Sequence, residues 1–331
     1  MKKILFIATG GTIASKHNGE ALSPEAKGEE LLQFLPPMPK NYQVEVVEPF
    51  SLDSSNIQPE QWLLLARLLF KKRHDYDGFV LSHGTDTMAY TASALTFMLP
   101  GFPKPLVLTG SQLPIDMPNS DGIANLSGAF KVALAECAGI MIFFGGQIIR
   151  GCRASKQYTQ SFGAFKSINA KPLGYLEDDQ ITWLSTTGPV LDEPQLIDTC
   201  QTKVALIKLA PGLEPDWIEA AVNLGYKGMV VEAYGAGNVP FSNRDLGAAL
   251  IKALTAGVAV AAKSQCLFET SNLELYGPGA RLAKAGIIPG YDMTTEALYT
   301  KMCWALGQTT DLAQVRQIIT TNLAGEVTPQ A

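Results

Sequence analysis

Short apolar runs alternate with longer segments of helical periodicity along the first half of the chain. The apolar runs predict buried strands at residues 3–8, 44–49, 78–82, 105–109 and 139–144. The segments between them predict helices at residues 24–35, 59–73, 87–99 and 121–138. Pro24 and Pro59 suit the first turn of a helix, and Ser23 is a plausible N-cap. Strands that alternate with helices favour a mostly parallel sheet covered on both faces.

The pattern loosens after residue 150 and then returns. Residues 156–194 are polar and irregular, and they include the acidic run Glu177-Asp178-Asp179. Strands are predicted again at residues 203–209, 228–232 and 258–262, and helices at 214–224, 243–256, 294–306 and 311–322. We therefore expect two α/β domains: a larger N-terminal catalytic domain at 1–190 and a smaller one at 205–331, joined by a linker at 191–204.

Polar residues gather at the carboxyl ends of the first four predicted strands. They form the segments 9–12, 51–55, 83–87 and 110–112. In an open parallel sheet, ligands bind beyond the carboxyl ends of the strands. Helix caps and glycine turns would explain any one of these segments. Hydroxyl groups at all four ends together favour a binding or catalytic site.

The first of these segments predicts a hydroxyl nucleophile. Gly10 and Gly11 allow a sharp turn and a close approach of the backbone to a ligand, and Thr12 follows them directly. A threonine hydroxyl needs a neighbouring base to become a nucleophile, and the candidates are His83 and the loop residue Lys156. Phosphate binding is the alternative, but TGGTIAS is neither the dinucleotide fingerprint nor a P-loop.

Composition narrows the class of protein. The 331 residues are 47% hydrophobic and 17% charged with a net charge of −5, which is typical of a soluble globular protein. The chain has no basic stripe, which argues against nucleic acid as a partner. Five cysteines without a CxxC pair and three scattered histidines argue against a disulfide framework and a zinc site.

The apolar run after Lys2-Lys3 is too short for a signal peptide, and no run reaches the roughly 20 residues of a membrane span. We therefore predict a cytoplasmic protein without a membrane anchor.

Several motifs in one order resemble those of bacterial L-asparaginases, especially the cytoplasmic type I enzymes. The most specific are ATGGTIAS at 8–15 and LSHGTDTMAYTASAL at 81–95. The others are DSS at 53–55, TGSQLP at 109–114, SDGIANL at 120–126, RGCRASK at 150–156, GAGN at 235–238, SQC at 264–266 and GYDMTTEA at 290–297. The resemblance implies a doubly wound, flavodoxin-like N-terminal domain with a left-handed crossover, a smaller α/β domain, and a homotetramer of close dimers.

The resemblance also implies hydrolysis of L-asparagine to L-aspartate and ammonia, without cofactor or metal. Thr12 matches the threonine that forms the acyl-enzyme. Thr85, Asp86 and Lys156 match a second catalytic cluster, in which the lysine polarises the threonine hydroxyl. Asp86 also matches the carboxylate that holds the substrate ammonium. Further substrate-binding positions are implied at Ser54, Ser55, Gly84, Ser111 and Asn238, of which Asn238 would come from a neighbouring subunit.

Other positions depart from the family pattern or extend it. Residues 16–23 lack the lid tyrosine of the periplasmic enzymes, although a polar lid at 16–25 that orders over substrate remains a hypothesis. Ser155 and Cys266 fall where some type I enzymes have an allosteric asparagine site, but a buried free cysteine is also explained by packing. Glu269 is a possible acidic partner from the neighbour.

Three alternatives remain open from the sequence. A glutaminase-asparaginase would share the site. An asparaginase-like subunit of an archaeal tRNA-dependent amidotransferase would be expected to carry an added N-terminal domain, whereas this chain starts directly at its first strand. A non-catalytic amino-acid sensor should have lost Thr12, Thr85 or Lys156, and all three are present.

Overall fold

The structure is a computed structural model that describes residues 1–17, 22–24, 26–37, 42–135, 137–186 and 193–328. The chain divides into two compact units, Met1–Asp198 and Thr199–Ala331. Each unit has its own sheet and its own apolar core, and the two are described in turn.

The first unit is built on an eight-stranded sheet with two small hairpins beside it. Its strands are β1 Lys2–Ala8, β2 Ser15–His17, β3 Leu22–Pro24, β4 Tyr42–Val47, β5 Gly78–Ser82, β6 Pro105–Thr109, β7 Gly139–Phe144, β8 Gln147–Arg150, β9 Ala154–Lys156, β10 Phe165–Ser167, β11 Gly174–Glu177 and β12 Gln180–Trp183. The sheet has the order β12-β11-β8-β7-β6-β5-β1-β4, while β2 pairs with β3 and β9 with β10. Its helices are α1 Gly28–Gln33, α2 Pro59–Lys72, α3 Met88–Met98 and α4 Gly122–Ala133.

The central strands form the parallel part of this sheet. β4, β1, β5, β6 and β7 run parallel, and β8, β11 and β12 continue the sheet in antiparallel pairs. β5 and β6 are buried along their whole length, as expected for strands covered by helices on both faces. The carboxyl ends of β1, β4, β5 and β6 consequently meet at one edge of the sheet.

Three predicted elements of this unit are wrong. The first helix begins at Gly28 rather than at residue 24, because Pro24 belongs to β3 and pairs with Ser15. The last helix ends at Ala133 rather than at 138. The segment predicted to be irregular contains β10, β11 and β12. Glu177 of its acidic run ends β11, and Asp178 and Asp179, with φ of 45° and 65°, form the hairpin turn to β12.

The second unit is a four-stranded parallel sheet with helices around it. Its strands, in sheet order, are β13 Val204–Lys208, β14 Gly228–Ala233, β15 Ala259–Ser264 and β16 Ile288–Pro289. Its helices are α5 Asp216–Asn223, α6 Leu246–Thr255, α7 Gly277–Ala285, α8 Thr295–Gln308 and α9 Leu312–Thr320. The hydrophobic pattern did not predict α7 and β16. The first turn of α7 reads Gly-Pro-Gly, which is typical of a loop, although Pro278 is well placed at a helix start.

A buried ion pair anchors the end of the second unit. Lys301 and Glu326 have no exposed side-chain surface, and Nζ lies 2.5 Å from Oε1. Lys301 also donates to the carbonyls of Ile319 and Thr321, at 2.9 and 2.6 Å. Glu326 accepts the amide of Ala324 at 2.7 Å. Both charges are therefore hydrogen-bonded, which is the condition for burying them.

The described residues contain no helix long and apolar enough to cross a membrane. They also contain no group of three or more histidine, cysteine, aspartate or glutamate side chains that could hold a metal ion. None of the five cysteines, all of which lie among the described residues, forms a disulfide.

Candidate active site

Backbone hydrogen bonds join the loops after β1, β4, β5 and β6 side by side. Gly11 donates to the carbonyl of Leu52 at 3.0 Å, and Leu52 donates to that of Thr9. The Thr9 hydroxyl donates to the carbonyl of Ser82 at 2.7 Å. His83 donates its amide to the carbonyl of Thr109 at 2.8 Å. The predicted convergence of these four segments at one sheet edge is confirmed.

The loops approach so closely because glycines lie at their contacts. Gly11 has φ of 78°, and a Cβ atom there would lie 2.3 Å from the amide nitrogen of Gly84. A Cβ atom on Gly84 would lie 2.6 Å from Oγ of Ser54. Only glycine fits between these backbones. Thr12 is the residue after Gly11, and Thr85 is the residue after Gly84. Each threonine is therefore the next residue along its loop from the contact between the two glycines.

Lys156 connects the loop after β5 to the antiparallel part of the unit. Its Nζ donates to Oγ1 of Thr85 and to Oδ1 of Asp86, both at 2.7 Å. The Thr85 residue is 5% exposed, whereas 63% of the Asp86 side chain remains accessible. The prediction that Lys156 lies in a loop is wrong, because it is the last residue of β9 and pairs with Phe165. This pairing holds the lysine where it contacts both side chains.

The two serines that follow β4 have different partners. The Ser54 hydroxyl oxygen accepts the amide of Asp86 at 3.2 Å, and among the described residues none accepts the hydrogen of this hydroxyl. Ser55 donates both its amide and its hydroxyl to Oδ1 of Asp53, at 2.8 and 2.5 Å. These two hydrogen bonds lower the pKa of Asp53. The donor capacity of Ser55 is therefore already used, and Asp53 is a structural partner that the sequence did not reveal.

The loop after β6 is held from behind by α4. Ser111 is 1% exposed, and its hydroxyl donates to the carbonyl of Leu113, so its side chain faces the protein interior. The Asp121 carboxylate accepts the amide of Gln112 at 3.0 Å, and the Asn125 side chain donates to the carbonyl of Gly110, also at 3.0 Å. The SDGIANL motif thus supports this loop, a role that no local sequence signal indicated.

His83 is buried rather than available as a base. It is 1% exposed, and burial lowers its pKa from 6.5 to about 4. Its Nδ1 lies 2.7 Å from the carbonyl oxygen of Gly84, and its Nε2 lies 2.9 Å from Oγ1 of Thr91. Since both ring nitrogens have partners, the prediction of His83 as a candidate base is wrong.

The remaining predicted positions lie next to Lys156, in the second unit or in the hypothetical lid. Ser155 lies in β9, is 4% exposed, and accepts from the Gln157 side chain at 2.9 Å. Asn238 and Cys266 belong to the second unit, after β14 and β15 respectively. Cys266 is exposed, so its explanation as a buried packing residue is wrong. The hypothetical lid at 16–25 involves side chains outside the described residues.

Comparison with known proteins identifies the family to which this chain of two α/β units belongs. Residues 3–188 match the family description "Asparaginase, N-terminal", and residues 203–319 match "Glutaminase/Asparaginase C-terminal domain". The chain belongs to the asparaginase family of amidohydrolases. This bears out the predicted α/β fold with a larger N-terminal and a smaller C-terminal domain.

The relatives of this chain include both L-asparaginases and subunits of glutamyl-tRNA(Gln) amidotransferases. An L-asparaginase from Thermococcus kodakarensis is 38% identical over 327 residues, which cover 98% of this chain and 99% of that protein. A glutamyl-tRNA(Gln) amidotransferase subunit from Pyrococcus furiosus is 37% identical over 342 residues, covering 98% of this chain and 77% of that protein. These relatives are archaeal, so they support the family and not its bacterial type I branch.

Solved structures match over the whole chain. The thermostable L-asparaginase from Thermococcus kodakarensis has a TM-score of 0.94 at 38% identity, covering 99% of this chain and 100% of that one. L-asparaginase I from Vibrio cholerae has a TM-score of 0.86 at 33% identity, covering 99% of each chain.

Proposed function

We propose that this protein hydrolyses the side-chain amide of L-asparagine to L-aspartate and ammonia through an acyl-enzyme on Thr12. The observation that carries the proposal is the contact of Lys156 with both Thr85 and Asp86, beside the loop that bears Thr12. The relative and the solved structures that are named L-asparaginase support the choice of substrate.

The charges and donors of the cluster suit a small amino-acid amide. L-Asparagine carries an ammonium and a carboxylate on one carbon atom. The accessible carboxylate of Asp86 is the partner proposed for the ammonium, and the free hydroxyl hydrogen of Ser54 is the donor proposed for the carboxylate. Such charge-assisted hydrogen bonds are roughly twice as strong as neutral ones. They would hold the substrate with its side-chain amide toward the two threonines.

The proposed reaction proceeds in two balanced steps. The Thr12 oxygen attacks the amide carbon, the C–N bond breaks, and the proton of Thr12 leaves with the nitrogen as ammonia. Water then attacks the resulting ester, its proton returns to the Thr12 oxygen, and L-aspartate is released. The Lys156 ammonium donates to Oγ1 of Thr85, which makes the Thr85 hydroxyl hydrogen a stronger donor to the developing oxyanion.

Ammonia release from the purified full-length chain tests this proposal. The wild-type protein should release ammonia from L-asparagine over many turnovers, and Thr12→Ala should lower kcat by ~10³-fold or more. Thr255→Ala is the matched control, since Thr255 is an exposed threonine of α6 whose hydroxyl donates to the Ile251 carbonyl of its own helix. Full activity in Thr12→Ala would eliminate the acyl-enzyme proposed here.

The second candidate is a glutamine-directed activity, either as a glutaminase-asparaginase or as an amidotransferase subunit. It is favoured by the 37% identity to glutamyl-tRNA(Gln) amidotransferase subunits from several archaea. The ratio of kcat/KM for L-asparagine to that for L-glutamine separates the candidates. A ratio well above one supports the asparaginase, and a ratio below one supports the alternative. Binding of L-asparagine without ammonia release would instead indicate the sensor.

Three further features belong to the same proposal. We infer a homotetramer of close dimers, in which Asn238 of a neighbouring subunit would complete the site, and a cytoplasmic location of the type I kind. Light scattering of the purified protein tests the assembly. A second asparagine site at Ser155 and Cys266 predicts a sigmoidal rate curve that becomes hyperbolic in Cys266→Val.

A further inference from the structure

Three buried side chains behind Thr85 form a continuous chain of hydrogen bonds. Trp62 of α2, Thr91 of α3 and His83 after β5 are 4%, 0% and 1% exposed. Nε1 of Trp62 lies 3.1 Å from Oγ1 of Thr91, and that oxygen lies 2.9 Å from Nε2 of His83. Nδ1 of His83 lies 2.7 Å from the carbonyl oxygen of Gly84. The chain ends on the peptide bond that joins Gly84 to Thr85.

The direction of every bond in this chain follows from the chemistry of its ends. The indole N–H of Trp62 only donates, and the carbonyl oxygen of Gly84 only accepts. Nδ1 of His83 must therefore carry the proton, and Nε2 of the neutral ring accepts from the Thr91 hydroxyl. Thr91 in turn accepts from Trp62. Burial lowers the pKa of His83 to about 4, which keeps the ring neutral near pH 7.

The orientation of the Gly84 carbonyl determines the orientation of the next amide. The Gly84–Thr85 peptide bond is trans, so its N–H points opposite to its C=O. The carbonyl points toward the buried imidazole of His83, and the Thr85 N–H therefore points away from it. Among the described residues, none accepts a hydrogen bond from this amide. Thr85 is 5% exposed, and a backbone amide of a buried residue that has no partner among the described residues is a donor left for a ligand.

We propose that the chain Trp62–Thr91–His83 positions the Thr85 amide as an oxyanion donor. The proposal rests on the proposed function, because it assigns a donor to the tetrahedral intermediate of amide hydrolysis. His83 is a positioning residue here, since it contacts no reacting atom and acts through the Gly84 carbonyl. A histidine, rather than an apolar residue of similar size, is needed because the carbonyl requires a buried donor directly behind it.

Paired substitutions test the two ends of the imidazole separately. His83→Asn retains a donor at the position of Nδ1, whereas His83→Gln places its amide at the position of Nε2 and leaves the Gly84 carbonyl without a donor. We expect kcat for L-asparagine to fall by ~10²-fold in His83→Gln and by ~5-fold or less in His83→Asn, with KM within ~3-fold in both. Thr91→Val should lower kcat by ~10-fold, and Thr91→Ser should restore it.

The matched control for Thr91→Val is Thr96→Val. Thr96 is a threonine of the same helix whose hydroxyl donates to the Ala92 carbonyl and has no bond to the chain. This variant should retain kcat within ~2-fold. Thermal unfolding of each variant reports whether it folds. Equal losses in folded His83→Asn and His83→Gln, or losses that follow the unfolding temperature across all variants, would overturn the positioning role.

Nitrogen NMR of the wild-type protein with labelled histidine tests the same chain without any assay of activity. His83 should show the neutral Nδ1–H tautomer down to about pH 5, and an Nε2–H tautomer would overturn the proposal. If the wild-type protein hydrolyses neither amide, the proposed function fails together with the oxyanion role. The NMR result then still decides whether the hydrogen-bond chain exists.

Discussion

Nζ of Lys156 lies 2.7 Å from the hydroxyl oxygen of Thr85, although 71 residues separate the two along the chain. The lysine ends β9, and the threonine follows β5. Only 17% of the Lys156 side chain is exposed, so water screens this contact weakly. Because a positive charge beside a hydroxyl oxygen stabilises negative charge that develops there, this pair has the geometry of an activated donor.

Removal of that charge should affect catalysis more than folding. We expect Lys156→Met to lower kcat for L-asparagine by ~10²-fold or more, because the Thr85 hydroxyl loses its cationic partner. Lys166→Met is the control, since Lys166 lies on the paired strand β10 and contacts the ring of Tyr158 instead. It should retain kcat within ~3-fold. Steady-state ammonia release measures both variants, and equal losses would contradict the role of Lys156.

A methyl group at Gly11 should separate the two catalytic loops. In Gly11→Ala, the new Cβ would lie 2.3 Å from the Gly84 amide nitrogen, at a φ of 78°. Gly212→Ala is the control, because Gly212 has φ of 96° but no heavy atom within 4 Å of its ideal Cβ. Gly212→Ala should lose about 1–2 kcal/mol of stability from backbone strain alone.

Gly11→Ala should lose more stability than this control and should also lose nearly all activity. Urea unfolding and ammonia release distinguish the two effects. If Gly11→Ala were as active as Gly212→Ala, the close contact of the Thr12 and Thr85 loops would not be needed for catalysis.

Protonation of His83 should make part of the stability depend on pH. Its pKa is lowered from 6.5 to about 4 in the folded protein, so between these values the unfolded chain binds more protons than the folded one. Stability should therefore fall as the pH falls from about 6.5 to about 4, by about 3 kcal/mol from this residue. Urea unfolding across that range measures it. The free energy of unfolding of His83→Asn should change less with pH than that of the wild-type protein. An equal change in both proteins would show that His83 is not buried as a neutral ring.

The buried pair Lys301–Glu326 should be sensitive to removal of one partner. Lys301→Met leaves the Glu326 carboxylate buried without its cation and should cost about 3–5 kcal/mol. The double substitution Lys301→Met with Glu326→Gln should recover part of this loss, since no unpaired charge remains. Lys252→Met is the control, because Lys252 and its partner Glu219 are both exposed and water screens such surface pairs, so it should lose much less stability. Denaturant midpoints of the three variants and of the wild-type protein measure these differences.

Much of the fold could be predicted from local pattern. β5, β6 and β7 have the predicted bounds, because each is a short apolar run that ends at polar residues or glycine. α2 begins at Pro59 as predicted, since a proline in the first turn costs no hydrogen bond. The prediction failed where neighbours override local preference: Pro24 joins a hairpin, and Gly277 opens a helix.

The candidate site shows the same division. The sequence by itself determined which side chains follow the strands: Thr12, Ser54, Thr85 and Asp86 lie at carboxyl ends, where a parallel sheet gathers them. Only the tertiary structure decided what each group does there. It brings Lys156 to Thr85 and Asp86, brings the Asp86 amide to Ser54, and buries Ser111 and His83. The physical reason is that strand and helix periods depend on neighbours along the chain, whereas a hydrogen bond depends on which distant residue folding brings within about 3 Å.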